Sequence, residues 1–148
     1  MTAPSPFSVA GKTILYTGAA GGLGLETTLN FLRAGARVVA IDHDPKKIEE
    51  LKSKAKDEGL SGLSIHALDL SDLQALRPAL EAISREAGGF DVVINNAAIY
   101  PSKSFEDYTL EEMQKVQHIN VDAGIVCVQV ALPHMRENGW GRIINIAS

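Results

Sequence analysis

The chain holds a single cysteine, Cys127, among its 148 residues. An internal disulfide is thereby excluded, a cysteine-built metal cluster has no ligands to draw on, and Cys127, set in an apolar helical stretch, reads as core filler. No metal site is expected. Long hydrophobic runs are equally scarce: the longest, residues 123–132, is interrupted by Gln129 and is too short to span a bilayer. The first ten residues carry Pro4 and Pro6 without the basic stretch and apolar core of a secretion signal, so a soluble, cytoplasmic protein with no membrane partner is expected. Positive charge is in deficit, with 14 Lys and Arg against 18 Asp and Glu and a formal net charge of −4. Lys46, Lys47, Lys52, Lys54 and Lys56 are interleaved with Glu and Asp on what reads as an ordinary helical face, which argues against a nucleic-acid partner. Neither repeats nor disordered composition stand out. Hydrophobic residues make up 45% of the chain, ample for the core of one domain at this length.

What the chain does have is a glycine-rich stretch, Thr17-Gly18-Ala19-Ala20-Gly21-Gly22-Leu23-Gly24, between an apolar run at residues 12–16 and a helical periodicity at residues 25–34. This is a strand-turn-helix unit. Gly18 and Gly22 can take positive φ and let a ligand approach bare backbone, and Gly24 lets helix pack on strand. The unpaired amides and the positive dipole end of the helix suit a phosphate, in such folds usually a pyrophosphate. Taken alone the turn also fits a tight connection with no ligand.

Downstream, strands and helices alternate. Residues 37–42 form a β-branched run ending in Asp42, eighteen residues after Gly24. That is near the spacing at which dinucleotide folds set an acid against the adenosine ribose. A carboxylate there accepts from ribose hydroxyls and repels a 2′-phosphate, and His43 and Asp44 supply no arginine, so NAD is expected rather than NADP. The alternative is that Asp42 merely ends a strand while Asp44 and Pro45 cap the next helix. A helix is expected over residues 45–58, a strand over 63–68, a helix over 72–87 opened by a capping box of Ser71 and Gln74, and a strand over 91–95. Thr109 with Glu112 forms a second capping box opening a helical region over 110–137, and a fifth strand covers 142–147. The fold class is therefore α/β, a doubly wound, Rossmann-like parallel sheet with helices on both faces. Residues 1–10 read as a flexible tail and 11–148 as the domain.

In such a sheet ligands sit outside the carboxyl ends of the strands. Those ends hold Thr17 and Gly18, Asp42, Asp69 with Leu70, Asn95 with Asn96, and Ser148. Each alone is explicable as a strand returning to solvent; their joint occurrence marks a site. Asn95-Asn96-Ala97-Ala98, two amides closing the apolar run Val92-Val93-Ile94, implies something close that needs both donors and acceptors. An Asn-rich turn is the other reading. Residues 100–103 fit either the mouth of a site or an ordinary surface turn.

Together these motifs, in this order and from end to end, resemble the short-chain dehydrogenase/reductase family in its shorter, single-domain branch. Gly18, Gly21 and Gly24 also fit the glycine spacing of the longer, sugar-nucleotide branch, and Asn95-Asn96 favours the shorter. The resemblance implies an oxidoreductase moving a hydride between NAD and a small alcohol or carbonyl substrate. It implies that the turn (Thr17, Gly18, Gly21, Gly22, Leu23, Gly24) seats the pyrophosphate, Asp42 the ribose, Asp69 with Leu70 the adenine, and that Asn95, Asn96 and Ala97 brace the strand behind the cofactor. It further implies that Asn120 sits at a break in the long helix and holds a water in a proton relay, that Ser148 hydrogen-bonds the substrate oxygen, and that complete proteins form homo-oligomers, dimers or tetramers. His118 reads as a surface or helix-packing residue. An apolar second face around Ile125, Val126, Val128 and Val130 also fits a partner subunit.

One family feature is lacking. The acid/base of the family is a tyrosine with a lysine four residues on, whereas Tyr16, Tyr100 and Tyr108 are followed at that distance by Ala20, Ser104 and Glu112. The resemblance implies a longer protein of which these residues are the cofactor-binding front part. The competing reading is a nucleotide-binding module without catalysis.

Overall fold

The computed structural model describes residues 5–147. Five strands, β1 (Thr13–Thr17), β2 (Arg37–Asp42), β3 (Leu63–Ala67), β4 (Val92–Asn95) and β5 (Arg142–Asn145), form one parallel sheet in the order β3-β2-β1-β4-β5. The helices are α1 (Leu23–Arg33), α2 (Pro45–Asp57), α3 (Leu73–Ala87), α4 (Leu110–Gln117) and α5 (Ala123–Glu137). Because β1 is buried along its whole length, it must be apolar on both faces, as parallel strands beneath two helix layers are. Ile14 and Tyr16 face α1 and α2 with Leu25, Leu29 and Leu51, while Leu15 faces α3 and α5 with Leu76, Leu80, Cys127 and Ala131. The strand order reverses at β1, so the crevice between the ends of β1 and β4 is the topological switch point.

Helix boundaries depart from the sequence reading where local capping decides. Helix α1 begins at Leu23, two residues early, because the turn feeds directly into it. Helix α3 is capped by Asp72, whose side chain accepts from Ala75 N, not by a Ser71–Gln74 box. Ser71 instead turns back, its N and Oγ donating to Asp69 Oδ1 at 2.8 and 2.7 Å. The Thr109–Glu112 capping box is present in both directions. The long helical region is not continuous: a π-helical turn, His118–Asp122, separates α4 from α5. Such a turn inserts a residue into the hydrogen-bond ladder, a distortion common at functional sites. At the start of the described chain, Val9 packs against the α1/α2 core and Gly11 N donates to Gly35 O.

Cys127 is fully buried, and burial pushes its thiol up to about 12. Its thiolate is therefore negligible at neutral pH. A disulfide reagent added at pH 8 is expected to leave the folded protein untouched and to react stoichiometrically in denaturant; rapid native labelling would show that α5 opens readily.

Candidate functional site

At the switch point the ends of β1 and β4 are locked by one hydroxyl and one amide. Thr17 Oγ1 accepts from Asn96 N at 3.1 Å and Ala97 N at 3.2 Å, and donates to Ile94 O at 3.4 Å. Asn96 Nδ2 donates to Thr17 O and Gly18 O at 3.2 and 3.1 Å. Polar groups that end a buried strand must be satisfied internally, which accounts for Thr17 and Asn96 without invoking a ligand. It also explains Gly18, where a Cβ would lie 2.9 Å from Ala97 Cα.

The turn between β1 and α1 is open on its outer side. Gly22 has φ +51°, nothing lies within 4 Å of where its Cβ would point, and no side chain caps the helix that starts behind it. Gly24 is packed underneath: a Cβ there would collide with Gly18 O. The arrangement leaves a helix start whose positive dipole end faces a cleft without a side-chain cap, Glu26 being the acid of its first turn.

Asp42 is buried and serves this turn directly. Its Oδ2 accepts from Ala20 N at 3.0 Å, and its Oδ1 from His43 N at 2.8 Å and Asp44 N at 3.2 Å. The carboxylate thus pins turn to strand while still edging the cleft, with one of its roughly four lone-pair sites left to accept from a ligand. Asp44, the alternative functional acid, is the N-cap of α2, accepting from Lys46 N and Lys47 N. Its amide hydrogen bonds, Lys47's foremost, hold its carboxyl below the usual range. Asp69 is likewise held low, first by the Ser71 hydroxyl and then by the Ser71 amide.

Two adjoining cavities run along the rim. One of about 680 Å³ takes in Gly18, Gly21, Gly22 and Leu23, then Asp42, Asp69, Leu70, Asn96 and Ala97. The other, of about 540 Å³, is lined by Thr17, Leu70, Asn95, Ala97, Asn120, Asn145 and Ala147. Leu70, Ala97, Ala98 and Ile119 border both. The structure therefore gathers the expected rim residues into one continuous cleft with a polar, glycine-lined half and a more apolar half, the form of a small-ligand site. Asn95 belongs to the second half. Its Nδ2 donates to Asn145 Oδ1 at 2.9 Å, tying the ends of β4 and β5, while its Oδ1 is buried without a protein partner.

Asn120 lies within the π turn. It clamps the segment leaving β4, with Oδ1 accepting from Ile99 N at 2.9 Å and Nδ2 donating to Ile99 O at 3.0 Å. His118 lies in the same turn, 3.9 Å from Asp122, and does not line either cavity. Tyr100 is solvent-exposed, and residues 100–103 line neither cavity. Ser148 lies outside the described residues.

Sequence reasoning missed two cations. Lys47 and Lys115 both border the larger cavity, and Lys47 was hidden in an apparently ordinary run of helix lysines. The available signal was the paired circumstance of Gly21 without a side chain and a lysine in the first turn of the helix after Asp42.

The family profile described as short chain dehydrogenase matches residues 12–148. Gluconate 5-dehydrogenase of Gluconobacter oxydans is 32% identical over the whole of this chain and 57% of its own length. D-beta-hydroxybutyrate dehydrogenase of Rhizobium meliloti is 29% identical, the match covering 93% of this chain and 54% of that protein. Among solved structures, a metagenomic short-chain oxidoreductase in complex with NADP is 27% identical with a TM-score of 0.86, covering 95% of this chain and 63% of the other. The chain thus spans little more than half the length of the curated relatives it matches.

Proposed function

The chain belongs to the short-chain dehydrogenase family, and on that premise we propose that it forms the cofactor-binding part of an oxidoreductase that uses NAD in preference to NADP on a small alcohol or carbonyl substrate. The observation that carries this reading is the open, uncapped glycine turn joined through Asp42 to a single cleft at the sheet's switch point. The residues present fit a dinucleotide: Gly22 leaves a cradle that a side chain would fill, and the helix start behind it offers backbone donors for a pyrophosphate. When bound, the nicotinamide supplies the hydride acceptor or donor.

The chain's own residues bind and orient. The α1 start and Gly22 hold the phosphates, Asp42 accepts from the ribose, and Asp69 with Leu70 forms the adenine wall. Thr17 and Asn96 keep the β1 and β4 ends in register behind the cofactor. The smaller, more apolar cavity between Asn95, Asn120 and Ala147 is the substrate side, and the π turn at Asn120 positions a water; to Ser148 the family resemblance assigns the substrate oxygen. Of the apolar face expected for a partner, Val126, Val128 and Val130 pack against the protein's own core, while Leu110, Met113, Val121 and Ile125, on α4, the π turn and α5, are exposed and support burial against a second copy in the complete protein.

Asp42→Asn tests the cofactor reading. It removes the charge and keeps one acceptor oxygen, while its Nδ2 must face either Ala20 N or the His43 and Asp44 amides, so a thermal melt accompanies the titration; the ratio of NADP to NAD dissociation constants is expected to fall by about tenfold, roughly 1.4 kcal/mol. Equal affinity for both dinucleotides in the starting protein, by calorimetry, would overturn it. The alternative, a nucleotide-binding module without catalysis, draws on a specific observation: no tyrosine in these residues is followed by lysine four positions on.

A further inference from the structure

A separate cavity of about 260 Å³ opens between α3 and the sheet, toward the amino ends of β1, β2 and β3. It shares no lining residue with the cleft at the switch point. Thr13 and Arg37 are register partners where β1 and β2 begin, and Val39 of β2 is the partner of Ser64 of β3. Side chains alternate along a strand, so Arg37 lies on the same face of the sheet as Val39, which packs in the core beneath α3. The helix supplies Ile83, Glu86 and Ala87, which fall on one of its faces. The floor is dry and deep: Thr13, Val39 and Ile83 are all buried. Within it Thr13 Oγ1 has no hydrogen-bond partner among the described residues, and such orphans are few in folded proteins and call for something that completes them. The mouth is charged. Arg37 of β2 and Glu86 of α3 stand exposed on opposite walls, and neither takes part in an ion pair among the described residues.

A guanidinium and a carboxylate that border one cavity without meeting each other select for an occupant that carries both signs. An anion would face Glu86, and a cation would face Arg37. The volume lies at the small end for ligand sites, and the apolar floor takes a short hydrocarbon rather than a second charge. We propose that this cavity binds a small zwitterion, an α-amino acid with an uncharged, apolar side chain, whose carboxylate pairs with Arg37 beside the Ser64 hydroxyl and whose ammonium pairs with Glu86. The planar guanidinium suits a carboxylate, which it holds by two parallel hydrogen bonds. Because the site lies at the far end of the strands from the glycine turn, its ligand is an effector and not the substrate.

The probe is L-leucine, titrated into the intact chain and followed by two-dimensional amide NMR. Two analogues each lack one charge: 4-methylpentanoate has no ammonium and 3-methylbutylamine no carboxylate. Saturable shifts are expected at Thr13, Arg37, Ser64 and Glu86, with each analogue bound about tenfold more weakly than leucine, the order expected for losing hydrogen bonds to a charged group. Arg37→Met and Glu86→Gln are each expected to weaken leucine by about tenfold. The pattern across the analogues is the sharper sign: Arg37→Met should leave the amine no weaker, and Glu86→Gln should leave the acid no weaker. Thermal midpoints of both variants control for folding, and the analogues tested on the starting protein need no variant at all. Absence of saturation at millimolar leucine, shifts confined to other parts of the chain, an analogue that binds as tightly as leucine, or leucine affinity unchanged in either variant overturns the proposal.

Discussion

Replacing Gly22 by valine is expected to weaken NAD binding by roughly a hundredfold while the protein remains folded, since a branched side chain excludes the phosphate from the helix start. The added Cβ meets no protein atom within 4 Å and projects into the cleft. Its folding cost is the glycine-type backbone at φ +51°, ψ −124°, which a β-branched residue adopts only with strain of about 1–3 kcal/mol. Gly18→Val makes the contrasting control. Its Cβ would press on Ala97 Cα at 2.9 Å, backbone that Thr17 and Asn96 hold in place, so that variant should lose stability as well as binding. Calorimetric titration beside a thermal melt separates the two. A Gly22→Val protein that binds NAD normally would place the ligand elsewhere.

The second large effect concerns turnover. Hydride transfer to a carbonyl leaves negative charge on oxygen, which needs a proton donor of suitable pKa. An unperturbed tyrosine, near 10, serves only with a cation to lower it. Among these residues no tyrosine has a lysine at the family's spacing; Tyr16 is buried in the core, where desolvation raises its pKa further. Neither a serine nor an asparagine substitutes for that donor. A polypeptide of residues 1–148 alone is therefore expected to bind NAD but to turn over alcohols and ketones at least roughly 10²–10⁴-fold more slowly than a longer protein supplying the pair, the usual worth of a general acid. The same polypeptide leaves β5 at the sheet edge with Ile143, Ile144 and Ile146 exposed, a surface that favours edge-to-edge association, so low solubility should accompany the low activity. The measurement is NAD-linked absorbance change against protein whose mass is confirmed. Brisk turnover by the 148-residue species would contradict it.

The alternating pattern was legible because parallel strands buried on both faces read as short β-branched runs, and the residues at their ends could be assigned to one rim by topology alone. The strand order needed three-dimensional pairing, which no local run encodes. The α3 cap was misplaced for a local reason: Asp72 and Ser71 are both good caps, and the loop back to Asp69 decided between them. At the site, sequence spacing located Asp42 but could not reveal that both its oxygens also hold turn amides. Nor could it reveal Lys47, whose relevance depends on α2 folding back over Gly21, a relation between elements more than twenty residues apart.

The most direct measurement is a two-dimensional amide NMR titration of the protein with NAD, with assignments across the glycine turn. The expected result is saturable shifts concentrated at Gly18, Gly21, Gly22 and Leu23, at Asp42 and His43, and from Asp69 to Leu70 and Asn96 to Ala98, all of them absent in Gly22→Val. Shifts confined to the opposite rim of the sheet, or none at millimolar NAD, would contradict a dinucleotide seat at this turn.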